Sequence, residues 1–184
     1  MRSDDELYSS FASGDDQAYD ELMIRYGDAL TVYLNGYLHH WQDSEDLMIE
    51  AFARIMVKRP SIREGNFKAY LFKTARNLAT RFHSKSTRIQ EFSIDEISED
   101  IHAPCLTEDL FQGKVRLESL YRCLGRIDPI QREALWLVYY DGMSYEEAAN
   151  IMKVNKKKID HLLSTGKKQM RSELAKEGII NAFE

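Results

Sequence analysis

The chain has 184 residues, of which 43% are hydrophobic, with three prolines, nine glycines and a formal net charge of −5. This length suits one or two small domains. The scarcity of proline and glycine favours long helices and argues against turn-rich β structure.

The two cysteines, Cys105 and Cys123, have neither metal-ligand spacing nor the pattern of a disulfide framework, which indicates a reducing compartment. The N-terminal segment MRSDDELYSS lacks the apolar stretch of a signal peptide, and no apolar run reaches the roughly eighteen residues of a membrane span. We therefore expect a cytoplasmic protein without membrane insertion. The sequence has no P-loop, no Ser/His/Asp set and no metal-ligand cluster, so it predicts neither an enzyme nor a bound cofactor or metal.

The first long helix is predicted to begin after Asp15, a candidate N-cap. The adjacent His39 and His40 interrupt the helical pattern and, without a third ligand nearby, do not predict a metal site. Apolar residues recur before them at steps of three and four and are interpreted as core: Tyr19, Leu22, Met23, Tyr26, Leu30, Tyr33, Leu34 and Tyr37.

A second helix is predicted to open at residues 43–46, because acidic residues in a first turn face the positive end of the helix dipole. The segment Lys58-Arg59-Pro60 ends it. An acidic side is left exposed, which by itself is ordinary charge placement near a helix N-terminus. The predicted apolar stripe is Leu47, Ala51, Phe52, Ile55 and Met56, and the acidic side is Glu45, Asp46 and Glu50.

A third helix is predicted over residues 66–88, with one buried side and a neighbouring basic side that could bind nucleic acid. The buried side is Phe67, Tyr70, Leu71, Thr74, Ala75, Leu78 and Phe82. The basic side is Lys73, Arg76, Asn77, Thr80, Arg81, Ser84 and Arg88.

Residues 89–111 contain seven acidic residues, no lysine or arginine, and Pro104 near the middle. Their periodicity is poor, so they predict a flexible acidic linker with a short helix near residues 94–97. Because the charge of this linker opposes that of the basic surfaces, we hypothesise that it shades them in the unbound protein or lies in a basic channel of a partner in the bound one.

Helical pattern resumes at Lys114. Asp128 is a predicted N-cap followed by Pro129 in the first helical position, and Gly142 is a predicted C-cap. The residues predicted to be buried are Val115, Leu117, Leu120, Tyr121 and Leu124, followed by Ile130, Ala134, Leu135, Leu137 and Val138.

The last two predicted helices have the pattern of a helix-turn-helix. Ser144 and Glu147 form a capping box, and Asn155 is a second N-cap after a short turn. In such units the second helix enters the DNA major groove. The apolar stripes are Ala148, Ala149, Ile151 and Met152, then Ile159, Leu162, Leu163 and Met170.

The segment from Lys153 to Arg171 holds seven basic residues and one acid, Asp160, a local charge of +6 in an acidic chain. A solvated amphipathic helix is the simpler alternative. A cationic segment in an acidic protein nevertheless favours a phosphate-facing surface, because neutralising phosphates releases counterions.

Four stretches of the chain resemble the extracytoplasmic-function group of RNA polymerase sigma factors. They are DSEDLMIEAF at 43–52, FKAYLFKTARNL at 67–78, LGRIDPIQRE at 124–133 and YYDGMSYEEAA at 139–149. Gly14-Asp15, followed by Tyr19, Leu22 and Tyr26, resembles the start of the family's first domain. The resemblance implies an all-α fold of two small helical domains, at 1–88 and 113–184, joined by the flexible acidic linker at 89–112.

The resemblance also implies roles for these surfaces. The acidic helix would bind core RNA polymerase through Asp43, Glu45, Asp46, Leu47, Glu50 and Phe52. The melted −10 strand would bind Arg63, Asn66, Lys73, Arg76, Asn77, Thr80 and Arg81. The double-stranded −35 element would bind Ser144, Tyr145, Asn155, Lys156, Lys157, Lys158, His161, Ser164, Lys167 and Lys168. Family members are often held inactive by an anti-sigma factor, which is a further expected partner.

Some positions depart from the family pattern. Lys153 stands where the turn usually has glycine, so the turn is expected to differ slightly, since a positive φ is costly for lysine. Leu162 and Gly166 stand where arginine is common, and Ile49 replaces a usual glutamine. A free-standing helix-turn-helix regulator remains as an alternative, but it has no use for the stretches at 43–52 and 67–78. A protein-interaction adaptor that keeps the fold without reading DNA is a further alternative, and the lysines kept on the last helix argue against it.

Overall fold

The structure is a computed structural model that describes residues 2–85 and 122–178, with side chains described to residue 82 in the first range. We call these ranges the N-terminal and C-terminal modules. The predicted linker, its short helix, and the residues at 86–121, including Arg88, Val115, Leu117, Leu120 and Tyr121, lie outside the described residues.

The N-terminal module contains four helices, α1 (Asp4–Ala12), α2 (Asp16–Leu38), α3 (Trp41–Lys58) and α4 (Phe67–Lys85). The C-terminal module contains residues 122–125 as a helical turn, α5 (Pro129–Leu135) with a π-helical turn (Trp136–Tyr140), α6 (Tyr145–Met152) and α7 (Lys156–Lys176). No strand occurs in the described part of the chain, so the predicted all-α class is confirmed. Within the same ranges, no helix combines the length and apolar composition needed to cross a bilayer.

Most predicted helix ends are confirmed, because each has a local capping partner. The Asp15 carboxylate accepts from Ala18 N at 3.3 Å, and Asp128 accepts from the first turn of α5 at 3.1 Å. Gly142 follows α5 and its π turn with φ +66°. The capping box at Ser144 is complete, with Glu147 N 3.2 Å from the serine Oγ.

The start predicted for the second helix is wrong by two residues. His40 Nδ1 accepts from Asp43 N at 3.3 Å, so this histidine is the N-cap and α3 begins at Trp41. Ser44 lies inside the helix, where its hydroxyl donates to His40 O at 2.8 Å. Helix α1 was not predicted at all, although Ser3 and Glu6 form a capping box at its start.

The N-terminal core is formed where α1, α2, α3 and α4 pack on one another around fully buried aromatic side chains. Those side chains are Phe11, Tyr33, Phe52, Phe67 and Phe72. This confirms the interpretation of the aromatic residues of α2 as core.

Three residues predicted to be buried are exposed. Phe82 is 40% exposed because the buried stripe of α4 ends at Leu78 and Ala79. Ile130 is 53% exposed, since Gln131 and Leu135 are the residues of α5 that face α7. Met56 is 47% exposed, one residue beyond Ile55, the last buried residue of α3.

Candidate nucleic-acid interface

Helix α7 presents its basic side chains to solvent. Asn155 begins the helix, with its Oδ1 accepting from Lys158 N at 2.8 Å, so this side chain is occupied in capping. Ile159, Leu162, Leu163 and Met170 are buried on the opposite side, as predicted. The exposed residues from the predicted set are Lys156, Lys157, Lys158, His161, Ser164, Lys167 and Lys168.

The turn before α7 keeps a left-handed residue despite the absence of glycine. Lys153 has φ +58° and ψ 42° and its N–H caps α6 at Ala149 O. The expectation that lysine would alter this turn is therefore wrong. Both flanking helices are capped and carry buried residues, and such fixed surroundings can hold a residue in a costly backbone conformation.

The departures at Leu162 and Gly166 lie on the buried side of α7. Leu162 is 4% exposed, and a Cβ built on Gly166 would lie 3.1 Å from Leu135 Cδ1. These positions therefore set the packing of α7 on α5, and the side chains that can face DNA are the exposed ones on the other side.

Two lysines of α7 have partners within the module. Lys156 Nζ lies 3.3 Å from Glu146 Oε1, and Lys167 Nζ lies 3.1 Å from Tyr139 Oη. The Lys156 pair is well exposed, and such pairs are weak and easily exchanged for a phosphate. Ser144 is occupied as the N-cap of α6, and Tyr145 is half-buried beside it.

The predicted −10 residues lie around a cleft of about 510 Å³ between the loop at 61–66 and α4. Arg63, Asn66, Lys73 and Asn77 line this cleft, and Thr80 and Arg81 follow as exposed residues farther along α4. The structure therefore brings these residues onto one side of the N-terminal module. Asn150 of α6 also lines the cleft, so the C-terminal module borders it.

Arg76 is not available at this surface. Its Nε lies 2.7 Å and its Nη2 3.3 Å from the two carboxylate oxygens of Glu133 on α5. The Glu133 side chain is only 3% exposed. Burial opposes the Arg76 charge, but hydrogen bonding to Glu133 and attraction by its charge outweigh burial and raise the pKa of Arg76.

Two tyrosines of α2 complete the surroundings of this ion pair. Tyr33 Oη donates to Glu133 Oε1 at 2.9 Å, and Arg76 Nε also donates to Tyr37 Oη at 3.2 Å. Burial raises the pKa of both phenols, and the Glu133 charge raises it further. They therefore remain neutral hydroxyl groups.

Further contacts join α4 to the C-terminal module. Lys68 Nζ donates to Asp141 O, and Lys73 Nζ donates to Asn150 Oδ1. Asp141 is buried, which raises the pKa of its carboxyl to about 7 although the charge of Lys68 acts in the opposite direction. Helices α4 and α6 therefore pack directly on each other.

The predicted polymerase-binding residues of α3 divide into two groups. Asp46 and Glu50 are exposed, and Glu50 pairs with Arg54 at 2.6 Å. Asp43 and Glu45 are partly exposed and pair with His40 and Trp41. Leu47 and Phe52 are buried in the core, so they position α3 rather than present a surface. Exposed apolar residues extend the acidic side: Ile49, Met56 and Val57.

The sequence did not predict which residues form the contact between the two modules, namely Tyr33, Tyr37, Glu133 and Asn150. The detectable signal was Arg132-Glu133, a charged pair inside an otherwise apolar segment that the helical pattern places in the core. Arg132 donates to Gly125 O and Ile127 O within its own module. Glu133 is therefore the residue of the pair that contacts Arg76 of α4. No cluster of three metal-ligating side chains occurs in the described residues.

Two family models match this chain in order. The Sigma-70 region 2 model matches residues 22–89, and the Sigma-70, region 4 model matches residues 117–170. The first spans α2 to α4, and the second ends within α7, so the two matches contain the candidate surfaces described above.

Three curated relatives are sigma factors of the extracytoplasmic-function (ECF) type. The ECF RNA polymerase sigma factor SigE of Mycolicibacterium smegmatis is 28% identical over 172 residues, covering 90% of this chain and 66% of the relative. The corresponding values are 27%, 82% and 58% for BldN of Streptomyces coelicolor, and 25%, 70% and 78% for SigM of Bacillus subtilis. The chain thus spans less than two thirds of the length of SigE and BldN.

Two solved structures share the fold. CnrH, solved in complex with the cytosolic domain of CnrY, is 20% identical with a TM-score of 0.64, covering 92% of this chain and 96% of that one. The sigma factor RpoE of Bartonella quintana, solved with the anti-sigma factor NepR, is 21% identical with a TM-score of 0.62, covering 85% and 96%. The ordered region 2 and region 4 matches, with the curated relatives, place the chain in the sigma-70 family of RNA polymerase sigma factors, in its extracytoplasmic-function group.

Proposed function

We propose that this protein binds core RNA polymerase and directs it to initiate transcription at promoters with a −10 and a −35 element. The observation that carries the proposal is the ordered presence of both sigma-70 regions in one chain, each with an exposed surface of suitable charge. The domains are taken as 1–88 and 113–184, with the acidic linker at 89–112 between them. The protein acts in the cytoplasm and has no catalytic activity of its own.

Helix α3 is the proposed docking element for core polymerase. Its exposed carboxylates would meet a basic surface, which favours orientation and a fast association rate. Beside them lie three exposed apolar residues, Ile49, Met56 and Val57. Contact with the polymerase would bury these side chains and enlarge the apolar contact area. Of the predicted set, Asp43, Glu45, Asp46 and Glu50 are proposed to make contact, whereas Leu47 and Phe52 hold the helix in place.

The cleft beside α4 is proposed to hold the melted −10 strand. A single strand needs positive charge along its backbone and polar groups that can reach an extruded base. Arg63, Lys73 and Arg81 supply the charge, and Asn66, Asn77 and Thr80 supply hydrogen-bonding groups. Arg76 joins this set only when its bond to Glu133 is broken.

Helix α7 is proposed to enter the major groove of the −35 element. Its lysines would contact phosphates and set the orientation, and side chains near the N-terminus of the helix would reach base edges. Because Asn155 Oδ1 is used in capping, the candidates for base contacts are Lys157, Lys158 and His161.

A free-standing regulator would need only α5 to α7. The match of residues 22–89 to Sigma-70 region 2 favours the polymerase-bound function instead. Because CnrH and RpoE were solved with CnrY and the anti-sigma factor NepR, we include an anti-sigma partner of this type in the proposal.

Reconstituted transcription tests the proposed function. Core polymerase is mixed with this protein and a pool of linear genomic fragments, and RNA synthesis is compared with that of core polymerase alone. We expect the protein to co-elute with core polymerase in size-exclusion chromatography and to stimulate RNA synthesis from a subset of fragments. Failure to bind core polymerase, or binding without stimulation, would contradict the proposal.

A further inference from the structure

We propose that Tyr33, Tyr37 and Arg76 form a carboxylate-binding pocket of the N-terminal module, and that Glu133 occupies it to hold the protein in a closed, autoinhibited state. The contact itself is observed in the structure. Its consequence for DNA rests on the proposed function, because it requires that the side of α4 bearing Arg76 binds the −10 strand.

The pocket has the composition of a specific anion site. Arg76 makes a bidentate contact with the Glu133 carboxylate, with N–O distances of 2.7 and 3.3 Å, and Tyr33 adds a third donor at 2.9 Å. Planar guanidinium groups favour such paired contacts with carboxylate and phosphate alike. Glu133 therefore occupies the position beside Arg76 that a DNA phosphate would take.

The burial of the pair makes the contact selective. Glu133 is 3% exposed and Arg76 19% exposed at the side chain, so salt screens the pair far less than a surface ion pair. A buried charge that loses its partner is strongly destabilised. The two modules must therefore separate as a unit rather than lose Glu133 alone, and the Lys68–Asp141 and Lys73–Asn150 bonds would break in the same step.

The closed state engages part of the −10 surface and leaves the other two surfaces accessible. Asn150 borders the −10 cleft, and Lys73 is bonded to it. The exposed lysines of α7 and the exposed acidic side of α3 remain open to solvent. The closed protein would thus still bind duplex DNA and core polymerase, whereas it would bind single-stranded DNA more weakly than the open protein, because Arg76 and Lys73 are engaged.

The test uses the full-length protein with Glu133→Gln, which keeps the side-chain volume and an acceptor for Tyr33 but removes the charge. We expect the closing equilibrium constant to fall by at least about ten-fold. Opening is measured as an increased radius of gyration in X-ray scattering and as faster amine labelling of Lys68 and Lys73. Unchanged scattering and labelling in a folded Glu133→Gln protein would overturn the proposal.

Two further variants keep the test independent of a folding defect. Glu177→Gln removes the same charge from an acid that pairs with Arg126 inside the C-terminal module at 2.9 Å, and it should remain closed. Arg76→Glu and Glu133→Arg should each abolish closure when made alone. The double variant, in which the two charges are exchanged, should close again. Opening by Glu177→Gln, or failure of the double variant to close, would count against the specific pair.

The consequence for DNA is measured with short, fluorescein-labelled, random-sequence DNA in single-stranded and duplex form. Glu133→Gln should bind the single strand more tightly than wild type and the duplex equally well. If the variant opens without a gain in single-strand binding, the inhibitory role is overturned while the contact stands. If wild-type protein fails in the reconstituted transcription assay, the proposed function fails, whereas scattering and labelling still report on the contact.

Discussion

Asp141 shows how a single residue at the contact between the modules can make stability depend on pH. Its carboxyl is buried, and burial raises its pKa to about 7, against an ordinary value of 3.8. Between these two values the folded protein holds the proton and the unfolded chain does not. This group therefore stabilises the folded state at low pH, and its contribution is lost as the pH rises through about 7.

The pH dependence gives a direct prediction. Lowering the pH from about 8 to about 6 should raise the free energy of unfolding by about 1 kcal/mol more in wild type than in Asp141→Asn. Urea unfolding of both proteins at the two pH values measures the difference. Identical pH dependence in the two proteins would show that Asp141 does not titrate in this range.

Gly166 is a second residue whose role depends on tertiary packing. Its Cα faces α5, and an added Cβ would lie 3.3 Å from Gln131 Cβ as well as close to Leu135. We predict that Gly166→Arg destabilises the protein by about 1–3 kcal/mol, because the side chain must separate α5 from α7. Thermal unfolding measures this, with the exposed position Ser164→Arg as control. Similar losses at both positions would contradict the packing explanation.

At the scale of elements, local capping signals predicted the helices well. Asp15, Asp128, Ser144 and Asn155 each act as predicted, because a cap depends only on residues within the next turn. His40 was missed as a cap because histidine is rare in that role and the HHWQ segment lacks periodicity. Among the described residues, the exposed members of the predicted buried stripes are Met56 and Phe82, where a helix extends past its neighbours, and Ile130, which does not face α7.

Helix α7 carries a prediction about salt dependence. Replacing Lys157 and Lys158 by alanine should weaken duplex binding, and each lost phosphate contact should reduce the slope of log affinity against log salt by about 0.9. Lys176→Ala, at the opposite end of α7, should leave the slope unchanged. Fluorescence anisotropy titrations at several salt concentrations measure both. A slope unaffected by the Lys157 and Lys158 substitutions would contradict the proposal that α7 enters the groove.

Helix α3 carries a prediction about the polymerase. Asp46→Lys should weaken binding to core polymerase by at least about 1 kcal/mol, because a reversed charge at a complementary surface repels the partner. Duplex DNA binding should not change. Asp20→Lys, an exposed acid on α2, controls for the altered net charge. Equal effects of the two substitutions on polymerase binding would show that α3 has no special part in docking.

At the scale of the whole molecule, sequence patterns did not predict how the modules meet. Tyr33 and Glu133 lie 100 positions apart, and periodicity within a helix says only which side is buried, not which partner covers it. Arg76 was therefore placed with the DNA-binding residues on the basis of its helix position, whereas the structure pairs it with Glu133. The same residue can serve both roles only if the two modules separate.

The proposed role in promoter selection is tested by mapping RNA 5′ ends on genomic DNA transcribed by core polymerase with this protein. We expect defined start sites preceded by two shared sequence elements at a fixed spacing. We also expect Lys157→Ala with Lys158→Ala to reduce initiation at these same sites without creating new ones. Start sites identical to those of core polymerase alone, or scattered without shared upstream elements, would show that the protein does not select promoters.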